Sequence, residues 1–169
     1  MMALILLLTQ LSSGATPVAT ANDTHDSHEE MTMEVRYQTE INELHRFFQH
    51  WFNGELPDND ESFSRFSDVM ATGFEIVSPN GRWTDRESLI AALRNSYGQW
   101  KNEGGPGKIW IEHYRLMHTE GPLALVTYEE WQEVGGERRG RLSTALFRLR
   151  EGAPNGVEWL HVHETWLAD

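Results

Sequence analysis

The feature that most constrains this chain is a change in its hydrophobic period near residue 104. Before the break Gly104-Gly105-Pro106-Gly107, apolar residues recur every three or four positions. After it, the segments are rich in Trp, Tyr, Val, Ile, Thr and Leu. The first pattern is typical of amphipathic helices and the second of strands. The sequence therefore predicts that the helices come first and most of the sheet last.

The second half contains four long segments with strand character, at residues 108–119, 123–134, 139–150 and 157–167. Tight turn signals separate them, among them Glu120-Gly121-Pro122 and Gly135-Gly136. Because short turns join antiparallel neighbours, these segments predict a four-stranded antiparallel meander.

The first half predicts three helices and one short strand. The helices cover about residues 34–52, residues 60–71 and a segment from a cap at Thr84 or Asp85 to about residue 100, and the strand covers residues 74–78. The expected fold class is α+β: a cone-shaped domain with three N-terminal helices packed on a curved, mainly antiparallel sheet.

The N-terminal segment predicts export. Residues 3–8 form an apolar run too short to span a bilayer, and Ala19-Thr20-Ala21 is similar to a signal-peptidase site. We expect a signal peptide at residues 1–21, a disordered acidic lead-in at 22–33 and one domain at 34–169, with no membrane association once mature. No Lys or Arg precedes the apolar run. The alternative is translation from Met31 or Met33 and a cytoplasmic protein.

Composition excludes several kinds of partner and site. The 169 residues carry 26 acidic and 14 basic side chains, a net charge of −12 that repels nucleic acid. The absence of cysteine excludes disulfides and thiol nucleophiles. No phosphate loop, nucleophile elbow or dinucleotide fingerprint is present, and we expect no cofactor. Seven Trp and seven Phe favour a well-filled core or an apolar pocket.

Three stretches resemble the nuclear transport factor 2-like superfamily, especially its SnoaL-like, ketosteroid isomerase-related branch. They are FEIVSPNG at residues 74–81 followed by Asp85-Arg86-Glu87, LSTALFR at 142–148, and WLHVHET at 159–165. The resemblance covers residues 34–167. It implies a cavity and a small-molecule ligand, and it implies pairing of two copies through the outer sheet face. It does not specify a reaction, because the superfamily contains isomerases, cyclases and dehydratases as well as transport factors.

Two positions depart from the isomerase pattern. The catalytic base of ketosteroid isomerase-like members matches Ser78 here, and the donor tyrosine falls near Phe47. A serine cannot act as a carboxylate base, and phenylalanine has no hydroxyl to donate. The resemblance therefore implies the scaffold without this reaction.

The last strand presents two different faces under strict alternation. Trp159, His161, His163 and Thr165 share one face, and Leu160, Val162 and Trp166 share the other. We expect the histidine face to line the cavity and the other to form a homodimer contact. The two histidines could share a water or a ligand oxygen, or could simply satisfy backbone partners. A third metal ligand, from Glu112 or Glu129, depends on strand register, and no metal site is expected.

On the second long strand, Glu129 shares a face with Thr127 and Trp131. We expect Glu129 at the cavity rim, where burial would raise its pKa and suit it to proton transfer; the alternative is a salt bridge to Arg141 or Arg148. The candidate ligand-pocket residues are His161, His163, Glu129, Trp131, Trp51, Tyr97 and Trp110.

Three functions remain open. The leading hypothesis is a dimeric small-molecule-binding domain. The alternative is an acid–base enzyme that uses His161, His163 or Glu129 on a polyketide-like or other enolisable compound. The third is an oligomerisation module with a filled interior. The size and lining of the interior void distinguish them.

Overall fold

The computed structural model describes residues 23–168, with side chains from residue 33. The helices are α1 (Asp23–Phe52), α2 (Asp60–Ser67) and α3 (Arg86–Asn95), with single 3₁₀ turns at Gln99–Asn102 and Pro154–Gly156. The strands are β1 (Met70–Val77), β2 (Trp83–Asp85), β3 (Lys108–Glu120), β4 (Leu123–Val134), β5 (Glu137–Leu149) and β6 (Val157–Trp166). They form one sheet in the order β2-β1-β6-β5-β4-β3, in which only β1 and β6 run parallel.

The predicted α+β class is confirmed, with three helices packed on a mostly antiparallel six-stranded sheet. The four long strands follow the predicted segments closely. Strand β1 begins earlier than predicted, at Met70, because α2 ends at a cap on Asp68. Strand β2 has three residues and no pattern that could have indicated it. The cone shape stays a prediction.

Helix α1 begins at Asp23, within the segment expected to be a disordered lead-in. Residues 23–52 contain no Gly or Pro, so nothing in the sequence stops the helix from extending towards the N-terminus. The predicted signal peptide and its cleavage site lie outside the described residues. No helix within residues 23–168 combines the length and apolar character needed to cross a membrane.

The core lies between the helices and one face of the sheet. In α1 the buried side chains recur at helical spacing: Tyr37, Ile41, Leu44, Phe47 and Trp51. They pack with the aromatic rings of α2 and with the inward residues of β4, β5 and β6. Each fully buried apolar side chain contributes roughly 1.5–3 kcal/mol, so this layer fixes how α1 lies across the sheet.

A β-bulge in β6 determines which of its side chains face the core. Phe147 of β5 pairs with Trp159, but the preceding Leu146 pairs with His161, so Leu160 has no partner in the ladder. The extra residue reverses the alternation. Trp159 and Val162 therefore face the same side, and both are buried. His161 faces the other side, opposite Leu146.

Candidate functional site

A cavity of about 370 Å³ lies between the helices and the inner face of the sheet. Its walls are mostly apolar and come from all three helices, β1, β6 and the turn at Gln99–Asn102. They include Leu44, Phe48, Phe52, Phe66, Met70, Phe74, Ile76, Leu89, Leu93, Trp100, Trp159 and Val162. This volume and this lining are typical of small-molecule sites.

A buried group of charged side chains occupies the sheet side of the cavity. This charged cluster consists of His45, Glu130, Arg141 and Glu164, all of which line the cavity. His45, Glu130 and Glu164 are only 4%, 2% and 7% exposed. Charged groups this deeply buried require partners, and the cluster supplies them internally.

Each member comes from a different element. Glu130 on β4 and Arg141 on β5 are directly paired, and Arg141 Nη2 donates to Glu130 Oε1 at 2.6 Å. Arg141 Nε lies 3.1 Å from Glu164 Oε1 on β6. His45 Nε2 on α1 lies 3.0 Å from Glu130 Oε2. One guanidinium thus faces two carboxylates, and one of those carboxylates also contacts an imidazole.

Further contacts fix the orientation of the cluster. His45 Nδ1 lies 2.6 Å from the carbonyl oxygen of Ile41, one turn earlier in α1. Gln132 Nε2 donates to Glu130 Oε1 at 2.6 Å. Glu130 therefore accepts hydrogen bonds from three side chains, whereas the contact between Arg141 Nε and Glu164 lacks hydrogen-bond geometry.

The two carboxyl groups have opposite protonation behaviour. Burial alone would raise the pKa of Glu130, but the charges of Arg141 and His45 hold it well below its usual range. Burial raises the pKa of Glu164 to about 7, because the attraction of Arg141 only partly offsets desolvation and the repulsion from Glu130. Glu130 is therefore an anion, and Glu164 changes its protonation state near neutral pH.

The cavity combines apolar walls, a titratable carboxyl group and several neutral polar groups. Ser78, Thr84, Gln99 and Gln132 line it together with Tyr128. Burial and the two nearby carboxylates raise the pKa of Tyr128, so its hydroxyl keeps its proton. The site can donate to and accept from ligand oxygens, and Glu164 can exchange a proton.

Two of the predicted pocket residues lie in the core beside the cavity and not on its surface. Trp51 Nε1 donates to the carbonyl oxygen of Leu93 at 2.8 Å, and Tyr97 Oη donates to that of Leu56 at 2.6 Å. Their ring centroids are 4.8 Å apart. Trp51 thus joins α1 to α3, and Tyr97 joins the segment after α3 to the loop after α1.

The other five predicted pocket residues lie on the outer face of the sheet. His161 and His163 pair with Leu146 and Thr144 on that face, a consequence of the β6 bulge. Glu129, Trp131 and Trp110 share the face too, since Trp110 pairs with Trp131 and their rings stack at 6.4 Å. A role for these residues in ligand binding stays a prediction, but they do not line the cavity.

Glu129 has a different environment from the one expected. Its Oε2 lies 3.0 Å from His113 Nδ1 and accepts a hydrogen bond from Trp131 Nε1, also at 3.0 Å. The hydrogen bond from His113 lowers the pKa of Glu129, whereas the sequence predicted a rise from burial. Glu112, His113 and Glu129 bring their ligand atoms within 4.8 Å of one another, so this trio, in which only His113 is fully exposed, is chemically able to hold a metal ion.

The residues predicted to form the dimer contact do not share the outer face of the sheet. Val162 lines the cavity, and Trp166 pairs with Arg141 on the same face of the sheet. Leu160 is the bulged residue. Ser78 does line the cavity, and Phe47 is a buried core residue.

Sequence reasoning missed the whole charged cluster. A signal for Glu130 was present, because alternation places it on the face of Val126 and Tyr128, two apolar residues that both proved buried. His45 was detectable as a polar residue adjoining Leu44 on the apolar side of α1. The inward orientation of Glu164 could not be predicted, because the bulge at Leu160 reverses the alternation between Trp159 and the rest of β6.

Residues 37–168 match the family model described as sucrose-6-phosphate phosphohydrolase C-terminal. Sucrose-phosphatase 1 of Nicotiana tabacum is 28% identical over 129 residues, which are 76% of this chain and 30% of that protein. Probable sucrose-phosphatase 2 of Arabidopsis thaliana is 25% identical over 150 residues, 89% of this chain and 35% of that protein. The chain thus spans about a third of the length of these curated relatives.

Solved structures share the fold. An NTF-2 like protein of unknown function from Pseudomonas aeruginosa superposes with a TM-score of 0.69 at 23% identity, over 79% of this chain and 99% of that one. An NTF2-like protein with a cystatin-like fold from Novosphingobium aromaticivorans gives 0.58 at 14% identity, over 88% and 92%. These likenesses show a shared NTF2-like fold, the fold that the sequence resemblance implies. The family model and the curated relatives, however, point to the sucrose-phosphatase C-terminal domain, which the sequence analysis did not identify.

Proposed function

This chain belongs to the sucrose-6-phosphate phosphohydrolase C-terminal family, and on that premise we propose that it is a small-molecule-binding domain whose cavity takes a hydroxylated ligand of the sugar class. The observation that carries the proposal is the cavity itself: about 370 Å³, apolar on most sides and bounded on the sheet side by the charged cluster.

The apolar walls suit the carbon faces of a sugar ring. Phe48, Phe52, Trp100 and Trp159 present flat aromatic surface to the cavity. Burying the ligand's C–H surface against them supplies the non-directional part of the affinity, and the polar groups fix orientation.

The charges favour a neutral ligand over a polyanion. Arg141 already faces both Glu130 and Glu164, and His45 faces Glu130. A phosphate would have to compete with these carboxylates for the same hydrogen-bond donors, whereas ligand hydroxyls can hydrogen-bond to the cluster without displacing the carboxylates. The relatives are named sucrose-phosphatases, so sucrose and sucrose 6-phosphate are the first probes to compare.

Titration calorimetry with both sugars tests the proposal, with tryptophan fluorescence as a second readout because Trp100 and Trp159 line the cavity. We expect saturable binding of sucrose, and weaker binding of sucrose 6-phosphate. Absence of binding for both sugars would contradict a sugar-binding function.

A second candidate is an acid–base enzyme acting on an enolisable compound, and one observation favours it. Glu164 lies in the cavity with a pKa of about 7, a value suited to a general base at neutral pH. Deuterium incorporation into an enolisable ketone such as cyclohexanone, followed by proton NMR, tests it. Exchange no faster than in buffer, or equal exchange in Glu164→Gln, would contradict this candidate.

We also propose that two copies pair through the outer sheet face. Leu125 and Leu142 are exposed there, at 37% and 43%. Light scattering should report a dimer that Leu142→Glu dissociates, while Val35→Glu, at an even more exposed apolar position on α1, leaves it intact. A monomeric wild type would contradict this pairing.

A further inference from the structure

Glu130 and Glu164 are unequal partners of Arg141. Glu130 receives hydrogen bonds from Arg141 and Gln132 and contacts His45 Nε2 at 3.0 Å. Glu164 is 7% exposed, and among the described residues its one ion-pair partner is Arg141 Nε, without hydrogen-bond geometry. Arg141 therefore compensates a negative charge on Glu164 only weakly. The side chain of Glu164 also lines the cavity, where a ligand could reach it.

The groups that face Glu164 come from α1, β4, β5 and the end of β1. Arg141 on β5 attracts a negative charge at this position, as does His45 on α1 from farther away. Glu130 on β4 repels it, and Tyr128 on the same strand is a neutral neighbour. On the β1 side, Ser78 contributes an uncharged hydroxyl to the cavity lining. Arg141 is thus the main charge that could hold Glu164 ionised, and its shorter contact is with Glu130.

We propose that Glu164 binds the ligand as a neutral carboxylic acid that donates its O–H to a ligand oxygen, so that ligand and one proton are taken up together. The inference rests on the proposed function, since it describes how the same cavity recognises a hydroxyl or carbonyl oxygen.

Three features support this protonation state in the complex. The ligand displaces water from a carboxyl group that is already buried, which further disfavours the anion. The acid form adds a donor, whereas the carboxylate only accepts. The pKa of Glu164 is already raised to about 7 in the free protein, so protonation at neutral pH requires little free energy.

The coupling between ligand binding and proton uptake predicts how far the affinity changes with pH. If only the protonated form binds, the affinity follows the protonated fraction of Glu164 in the free protein. That fraction falls about tenfold between about pH 6 and about pH 8 for a group with a pKa of about 7. Affinity for sucrose should fall by the same factor.

Calorimetric titration with sucrose at these two pH values, in buffers of different ionisation enthalpy, tests the coupling. We expect the roughly tenfold decrease and net proton uptake on binding at about pH 7.5. Glu164→Gln should show less than about a twofold change over the range. Glu129→Gln, which alters an outer-face carboxylate, should retain the wild-type pH dependence.

The outcomes separate the two proposals. Sucrose binding that is equally strong at both pH values, or that keeps its pH dependence in Glu164→Gln, overturns the proton coupling and leaves the binding function standing. No binding at either pH contradicts both.

A ligand-free measurement provides an independent check. Carbon NMR of protein labelled at the glutamate carboxyl, with the Glu164 signal assigned by its loss in Glu164→Gln, should show that carboxyl titrating near pH 7. Titration near its ordinary value of about 4.3 would overturn the inference.

Discussion

Nε2 of His45 in α1 lies 3.0 Å from Oε2 of Glu130 in β4, and both side chains are almost fully buried. The contact joins the first long helix to a strand next to the edge of the sheet, across 85 positions of sequence. It also brings a polar group from the helical layer to the charged cluster. One side of the cavity therefore contains a contact that forms only when α1 packs on β4.

Replacing Arg141 should unfold the protein more readily than replacing a neighbouring arginine. Arg141→Met removes the guanidinium that faces both Glu130 and Glu164, and breaking a buried charge network costs about 3–5 kcal/mol. Urea denaturation at neutral pH measures this. Arg139→Met, at a position whose side chain is 72% exposed, should change stability by less than about 0.5 kcal/mol. Equal stability of the two variants would show that the cluster is not a stabilising network.

Filling the cavity should abolish ligand binding while preserving the fold. Leu89 on α3 lines the cavity and is half-buried, so Leu89→Trp places a large ring in the void at a modest cost of about 1–3 kcal/mol. Sucrose should then give no calorimetric signal. The matched control is Leu142→Trp on the outer face, where binding should be unchanged. Retained binding in Leu89→Trp would place the ligand outside this cavity.

The stability of the protein should depend on pH through Glu164. Its folded-state pKa of about 7 exceeds the ordinary value, so between about pH 4.5 and 7 the folded state holds a proton that the unfolded state has lost. Stability from this group is therefore complete below about pH 4.5 and is lost as the pH rises through 7. A shift of this size corresponds to about 3 kcal/mol.

Urea denaturation curves at about pH 5 and about pH 7.5 measure this effect as the difference between wild type and Glu164→Gln. The variant should lose less stability over that interval than the wild type does. Parallel curves for the two proteins would show that Glu164 titrates alike in the folded and unfolded states.

A single methyl group at Gly107 should disturb one wall of the cavity. A Cβ there would overlap the Trp100 ring, while the Gly107 N–H and carbonyl are held by the Asn53 side chain at 2.9 and 3.0 Å. Gly107→Ala should therefore displace Trp100, with a loss of about 1–3 kcal/mol and a changed tryptophan emission spectrum. Lys108→Ala, at the exposed neighbouring position, should alter neither property.

The sequence predicted the order of elements well, because each element has a clear period and clear ends. It failed where one residue broke the period. Strict alternation grouped Trp159 with His161, but the unpaired Leu160 puts Trp159 with Val162 and Glu164 instead. Nothing in the local sequence indicates this bulge, since leucine occurs in regular strands as readily as in bulged ones.

The site was harder to predict than the fold for a second reason. Glu130 and Arg141 belong to strands whose alternation was clear, yet the choice of inward face depends on packing against α1, which periodicity does not fix. Once Tyr128 and Ala145 are known to be buried, Glu130 and Arg141 follow on the same face.

The bulge at Leu160 determines which proton-exchanging side chains of β6 face the cavity. In β6 the cavity receives a carboxyl group, and the imidazoles of His161 and His163 lie on the opposite surface. Removing Leu160 would restore simple alternation and leave both sets in place, because His161 would follow Trp159 directly and keep its pairing with Leu146. If Leu160 instead took the pairing with Leu146, the rest of β6 would slip by one residue, and His161 and His163 would face the cavity in place of Glu164. A one-residue change of strand register at Leu160 is therefore enough to give the cavity a different set of proton-exchanging groups.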